Sequence, residues 1–246
     1  MKLLAFDTST DAMSIAVSRD DGAAAGLWQQ HSEGGAKAST GLIAGVLELM
    51  RQSGLTLSEL DAICFGCGPG SFTGLRTACA VAQGLAFGAG VPVLPVNSLL
   101  AVAEEARHSG LDDAATGQVT ALLDARMDEI YLATFCFEAG IWTELQAAHL
   151  VKPETVVLPV PSAGEAVAAG NAFAVYGPRL TGLADAAARI QALPQATAML
   201  RLAPQLLASG KAVSAEQALP TYVRDKVAQT TAERAAIKAA QLAAAL

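Results

Sequence analysis

The chain opens with short apolar runs separated by polar turns and then shifts to longer segments of helical period. In "KLLAFDTSTDAMSIAVSRDDG" apolar Leu3–Phe6, a polar turn Asp7–Asp11 and apolar-rich Met13–Val17 predict a β-hairpin. "GAAAGLWQQ" supplies a third strand. Between Lys37 and Ser53, residues Leu42, Ile43, Val46, Leu47, Leu49 and Met50 share an arc of roughly 160° at about 100° per residue, and Gly54 follows where a helix stops. "LSELDAICFG" predicts a helical turn and a buried strand that enters "GCGPGSFTGLR", Gly66–Arg76. A second helix runs from about Thr73 to Ala89, "VPVLPV" is a further strand, and "SLLAVAEEARHSG" is a third helix.

The same order then recurs. "VTALLDARMDEIYLATF" is again strand, turn and strand, with Asp124 standing where Asp7 stood, and "WTELQAAHLV" is a third strand. A helix is expected around Ser162–Ala169, and "AFAVYGPRLTG" echoes "AICFGCGPGSFTG" as a strand delivering a Gly-Pro loop. This duplication predicts an α/β protein of two βββαβα halves facing across a cleft, the plan of the actin-like ATPase (ASKHA) fold. The halves are expected at 1–105 and 106–225. An Ala-rich helix over 226–246 follows, with Thr230 and Glu233 forming a capping box.

Composition narrows the function classes. The 246 residues suffice for a large core, yet 16% are charged, against about 25% in typical domains, so apolar surface is expected to lie against a partner. Net charge is −7. The segment from 201 onward carries six basic and three acidic residues, net +3, which leaves −10 for the remainder. That balance argues against unaided binding to a phosphate backbone. Thr77–Ala103 is free of charge, but Gly84, Gly88, Gly90, Pro92, Pro95 and Asn97 break it into helix, turn and strand, so no membrane span is expected. Asp7 interrupts the first apolar run too early for a signal peptide, and the location is expected to be cytoplasmic. Cys64, Cys67, Cys79 and Cys136 read as free thiols. Cys64-x-x-Cys67 lacks the second ligand pair of a zinc site, and His31, His108 and His149 are scattered, so no metal is expected.

Three segments carry candidate chemistry. In the first turn Asp7 could approach a metal while Ser9 and Thr10 hydrogen-bond phosphate, but an Asx/ST-turn closing the hairpin explains the same residues. In the second turn, at Asp124 and Arg126, a phosphate site needs glycine or a small hydroxyl residue, and the arginine is too bulky for close approach. The glycine-rich loop, with Gly66, Gly68, Gly70, Ser71, Thr73 and Gly74, lacks the Lys-Ser/Thr of a P-loop and the flanking glycines of a nucleophile elbow. Its glycines are expected to shape the backbone, with Thr73 capping the next helix.

"GPGSFTGLR" (68–76), with "DTST" near the start, "DAR…EIY" at Asp124–Tyr131 and "PTYVRD" at Pro220–Asp225, resembles the bacterial TsaB (YeaZ) family over essentially the whole chain. The resemblance implies an inactive actin-like subunit without a cofactor. It would pair with a TsaD-like catalytic subunit and act with a TsaE-like ATPase to attach a threonylcarbamoyl group to the adenosine beside the anticodon of ANN-decoding tRNAs, touching tRNA only indirectly. It also implies that the first two long helices pair with the partner, or with a second copy as a homodimer when the partner is absent. Leu42, Val46, Leu49, Met50, Ala78, Val81 and Leu85 are the candidate contacts. The contrasting reading is an autonomous nucleotide-dependent transferase or kinase using Asp7 and the cleft. A glycoprotease finds no nucleophile–base pair here.

Overall fold

The computed structural model describes residues 1–20, 22, 25–35, 38–110, 116–159, 165–183 and 188–224. The C-terminal helix expected over 226–246 lies outside the described residues. The first half contains β1 (Lys2–Asp7), β2 (Ala12–Asp20), β3 (Ala25–Glu33), α1 (Ala38–Ser53), β4 (Ala62–Gly68), α2 (Phe72–Ala89), β5 (Val93–Asn97) and α3 (Ser98–Gly110). The second contains β6 (Gly117–Asp124), β7 (Ile130–Glu138), β8 (Ile141–Val151), β9 (Glu165–Gly170), α4 (Ala172–Tyr176), β10 (Ala188–Gln191) and α5 (Ala196–Ala208). The strands form two five-stranded sheets of identical topology, β3-β2-β1-β4-β5 and β8-β7-β6-β9-β10. In each, the first three strands are antiparallel, and the last two run parallel to the first. This is the duplicated actin-like plan; the first half closes on one more strand–helix pair than βββαβα, and among the described residues the second exceeds it by one strand.

Alternation along the strands separates three cores. From β1, Leu3 and Ala5 point between the sheets, into a core shared with α3, α5, Val119, Ala121 and Leu123. Leu4 and Phe6 point outward to a second core under α1 and α2. The last helix of each half crosses to the other: α3 packs on β6, β7 and β9, and α5 packs on β1, β2 and β4. The halves thus interlock through exchanged helices, and the expected division at 105 falls inside α3. A third core, around Leu122, Leu132 and Tyr176, lies on the outer face of the second sheet. There the segment between β8 and β9 holds a short 3-10 turn, Pro153–Thr155, where the first half has α1.

Two expectations are corrected. Of the helix expected around Ser162–Ala169, the described part from Glu165 onward is strand β9, and the strand expected in "AFAVYGPRLTG" is the short helix α4 followed by a 3-10 turn. Ala and Glu favour helix intrinsically, but a buried site beside β6, where Ala168 and Ala169 are fully enclosed, outweighs that preference. The counterpart of the glycine loop therefore starts at Gly170 and not at Gly177. No helix among the described residues is long and apolar enough to cross a membrane.

Candidate functional site

The turns that follow β1 and β6 face each other across a cavity of about 280 Å³ between the halves. Ser9, Thr10, Gly70, Ser71, Asp124 and Arg126 all line it, together with Asn171 and the segment Thr221–Arg224. Asp7 does not. It is fully buried behind the turn, where Oδ1 accepts from the Ser9 amide and hydroxyl, both at 2.7 Å, and Oδ2 accepts from Ser98 Oγ at 3.3 Å. Burial pushes its carboxyl up to about 6, against the partial offset of these hydrogen bonds. This is the Asx-type arrangement, and it places the carboxylate away from any ligand in the cavity.

The glycine loop is moulded on that turn. A Cβ on Gly66 would stand 1.8 Å from Asp7 Oδ2, and one on Gly74 would stand 1.8 Å from the Thr8 carbonyl oxygen. Thr8 Oγ1 also donates to the Gly74 carbonyl at 2.7 Å, and the Ser71 amide donates to the Ser9 carbonyl at 2.7 Å. Gly68 and Gly70 complete the loop. The cap of α2 is a correction: Ser71 occupies the N-cap and accepts from the Gly74 amide, while Thr73 lies inside the first turn. The chain enters the helix one residue earlier than Thr73 because Ser71 is already fixed to Ser9.

The second turn is built differently. Arg126, Met127 and Asp128 have φ of 59°, 53° and 63°, three consecutive non-glycine residues in the left-handed region, each costing on the order of 1 kcal/mol. Asp124 accepts from Tyr176 Oη at 2.7 Å and from the Arg126 amide at 2.9 Å. The Arg126 guanidinium crosses the cavity mouth to pair with Asp11 and approaches Asp124 at 3.6 Å. Arg179 holds Asp128 with two nitrogens, and Arg224 donates to Glu129 at 2.6 Å. Among the described residues no group of three or more His, Cys, Asp or Glu is placed to hold a metal ion.

A buried charged cluster behind the cleft ties the halves together. Glu104 of α3 accepts from Arg107 at 2.8 and 3.0 Å, from Arg201 of α5 at 2.7 Å and from the Trp142 indole at 3.0 Å. Burial raises the carboxyl's pKa, but these donors together outweigh it and hold it below the usual carboxylate range. Sequence reasoning missed this cluster, because Glu104 and Arg107 at i,i+3 look like an ordinary solvated helix pair.

The candidate partner contacts need the largest correction. Leu42, Val46, Leu49, Met50 and Ala78 are at most 4% exposed and pack in the core under α1 and α2; Val81 and Leu85 are half-buried against it. The apolar side chains on the outside are others: Ile43 and Leu47 on α1, Phe87 on α2. Ala80, Gly84 and Gly88 continue that outer stripe of α2 at i,i+4 spacing, with open space over both glycines. The arc is wide enough for two surfaces, and the sheet takes the half that carries Leu42, Val46, Leu49 and Met50.

Two interlocked halves of the same sheet topology, with the Asp7 carboxylate buried behind the first turn, define a protein of the actin-like fold. Residues 36–242 match the family described as TsaD: tRNA N6-adenosine threonylcarbamoyltransferase. The chain is 37% identical over 235 residues to the tRNA threonylcarbamoyladenosine biosynthesis protein TsaB of Escherichia coli, covering 93% of this chain and 96% of that one. The Haemophilus influenzae TsaB is 35% identical over 240 residues, covering 92% and 95%. The solved structure of YeaZ from Pseudomonas aeruginosa superposes with a TM-score of 0.78 at 36% identity, over 90% of this chain and 99% of that one. The chain belongs to the TsaB (YeaZ) family.

Proposed function

We propose that the protein is a non-catalytic subunit that binds and activates or stabilises a TsaD-type transferase in the threonylcarbamoyl modification of tRNA, at the adenosine adjacent to the anticodon of ANN-decoding tRNAs. The observation that carries this reading is the state of Asp7. The carboxylate that would meet a metal–nucleotide complex is fully buried and engaged by Ser9 and Ser98. The names of the relatives supply the pathway, and the TsaD-type family match supplies the kind of partner. A TsaE-type ATPase acts through the assembled complex. With a net charge of −7, the subunit leaves direct tRNA contact to its partner.

The partner surface in this reading is the outer stripe of α1 and α2, centred on Ile43, Leu47, Ala80, Gly84 and Phe87. The exposed glycines let a second helix approach closely, and the flanking apolar side chains seal the contact. In the absence of the partner, a second copy takes the same surface. Leu47→Glu is expected to weaken association with a purified TsaD-type subunit at least tenfold in sedimentation or titration calorimetry, with unchanged circular dichroism. Association at wild-type strength would overturn the assignment. Calorimetry of the isolated protein with ATP and Mg²⁺ should show no binding in the micromolar range; such binding would instead favour the autonomous transferase.

A further inference from the structure

The motif "PTYVRD" and the strained turn after β6 have no part in the role proposed above, and in the fold they meet. Thr221 is fixed to β4 by its amide, which donates to the Cys67 carbonyl at 2.7 Å. Tyr222 lies against the first turn of α2. Its hydroxyl accepts from Arg76 Nε at 3.0 Å, its ring lies 5.3 Å from that of Phe72, and the Arg76 guanidinium stacks over Phe72 at 3.7 Å. Two residues further on, Arg224 belongs to the other side of the cleft. It donates to Glu129 Oε2 at 2.6 Å and to the Arg126 carbonyl at 3.3 Å, with Met127 Sδ at 3.1 Å from its other nitrogen.

A run of three left-handed residues does not sustain itself, since L-residues enter that region singly and at a cost. Two main-chain bonds close the turn, from the Ala125 amide to the Glu129 carbonyl and from the Glu129 amide to the Arg126 carbonyl. Its persistence depends on restraint from outside. Asp11, Tyr176 and Arg179 hold the turn from within the two halves, whereas Arg224 holds the Arg126 carbonyl from a segment anchored on α2.

We propose that Thr221–Arg224 is a strap that couples the first turn of α2 to the turn following β6, so that loosening the Arg76–Tyr222 contact loosens a cleft turn on the opposite half. This goes beyond the partner role and holds in the isolated subunit. Where a partner docks on α2, the strap gives that event a physical route to the cleft, because α2 and the turn share one short covalent segment.

The test is amide hydrogen exchange of the purified full-length protein, comparing a peptide that spans 124–131 with one that spans the β7–β8 turn, 138–141, as internal reference. Arg224→Gln should accelerate exchange of the 124–131 peptide at least tenfold relative to the reference. Arg76→Ala, which alters a residue bonded to the strap, and Tyr222→Phe, which alters the strap at its α2 end, leave every contact with the turn in place and should each accelerate it at least threefold relative to the same reference. A global loss of stability raises both peptides together and leaves the ratio at its wild-type value. A wild-type ratio in both Arg76→Ala and Tyr222→Phe overturns the coupling, even if Arg224→Gln has its full effect, because Arg224 would then be a local staple. The same measurement does not involve the transferase partner, so its outcome is separate from that of the association experiment.

Discussion

Asp7 and Asp124 close equivalent strands in two sheets of the same topology, yet their surroundings differ in almost every respect. Asp7 is sealed behind its turn and held by hydroxyls and one amide; Asp124 stands at the cavity wall and is held by a tyrosine and the backbone of a strained turn. The first turn is shaped by a loop of glycines pressed onto its main chain. The second is shaped by two arginines reaching in, Arg179 to Asp128 and Arg224 to Glu129, and by its own Arg126 reaching out to Asp11. One fold thus stabilises the same corner by steric fit in one half and by charge in the other. Both carboxylates are hydrogen-bonded within the chain, and fold-level likeness to actin-like ATPases does not by itself convey their chemistry.

The contrast extends to the outer layers, where the largest effect is expected. The first half covers its sheet with α1, and Val46 is fully enclosed there. Val46→Glu places an unpaired carboxylate in that core and should destabilise the protein by at least about 4 kcal/mol, a large share of the stability of a typical domain. Chemical denaturation would show a lost or strongly lowered midpoint, whereas Leu47→Glu, one residue away on the outer face, should keep the wild-type midpoint. Equal midpoints for the two variants would contradict the assignment of α1's inner and outer faces.

The next effect concerns the glycine loop. An Ala at Gly74 meets the Thr8 carbonyl oxygen, main chain that cannot rotate away, so Gly74→Ala should cost on the order of 3 kcal/mol. Gly84, on the exposed side of the same helix, has nothing within 4 Å of a new Cβ, and Gly84→Ala should be neutral or stabilise by up to about 1 kcal/mol through helix propensity. Thermal melts of the two variants separate close packing from helix propensity. A Gly74→Ala protein as stable as wild type would show that the loop is not moulded on the first turn.

The sequence conveyed the repeated hairpins, the extent of α1 to within a residue and the steric character of the glycine loop, because these rest on local period and local turn chemistry. It failed where distant parts decide. "EAVAA" has helical composition, and its burial beside β6 is what makes it a strand. The arc of α1 gave the amount of apolar surface but not its division between sheet and solvent. Glu104, Arg107 and Arg201 form one cluster only because α3 and α5 are exchanged between the halves. "PTYVRD" stood out as a motif, but its purpose depends on contacts with β4, α2 and the second turn, up to 154 positions away in sequence.

The smallest net effect is the one that tests the comparison of the two aspartates most directly. Asp7 titrates near 6 in the folded protein against an ordinary value near 3.8, because burial disfavours its charged form. Below pH 3.8 the carboxyl is protonated in both folded and unfolded chains. As pH rises toward 6, the unfolded chain releases its proton first, so the folded state loses relative stability, and the loss levels off above pH 6 at up to about 3 kcal/mol. Asn at position 7 keeps an oxygen for the Ser9 amide and hydroxyl and offers its amide to Ser98 Oγ, without a charge to bury. The stability of Asp7→Asn relative to wild type should therefore rise from pH 4 to pH 7.5. Replacing two strong hydrogen bonds to a carboxylate by weaker neutral ones trims the net gain at pH 7.5 to on the order of 1 kcal/mol. Urea denaturation at the two pH values measures it. Asp124→Asn should gain nothing at pH 7.5, since its carboxylate accepts from Tyr176 Oη and the Arg126 amide and faces the Arg126 guanidinium, contacts that a neutral amide weakens. If Asp7→Asn is less stable than wild type at pH 7.5, or if the two variants respond alike, the sealed carboxylate of the first half is not the strained member of the pair.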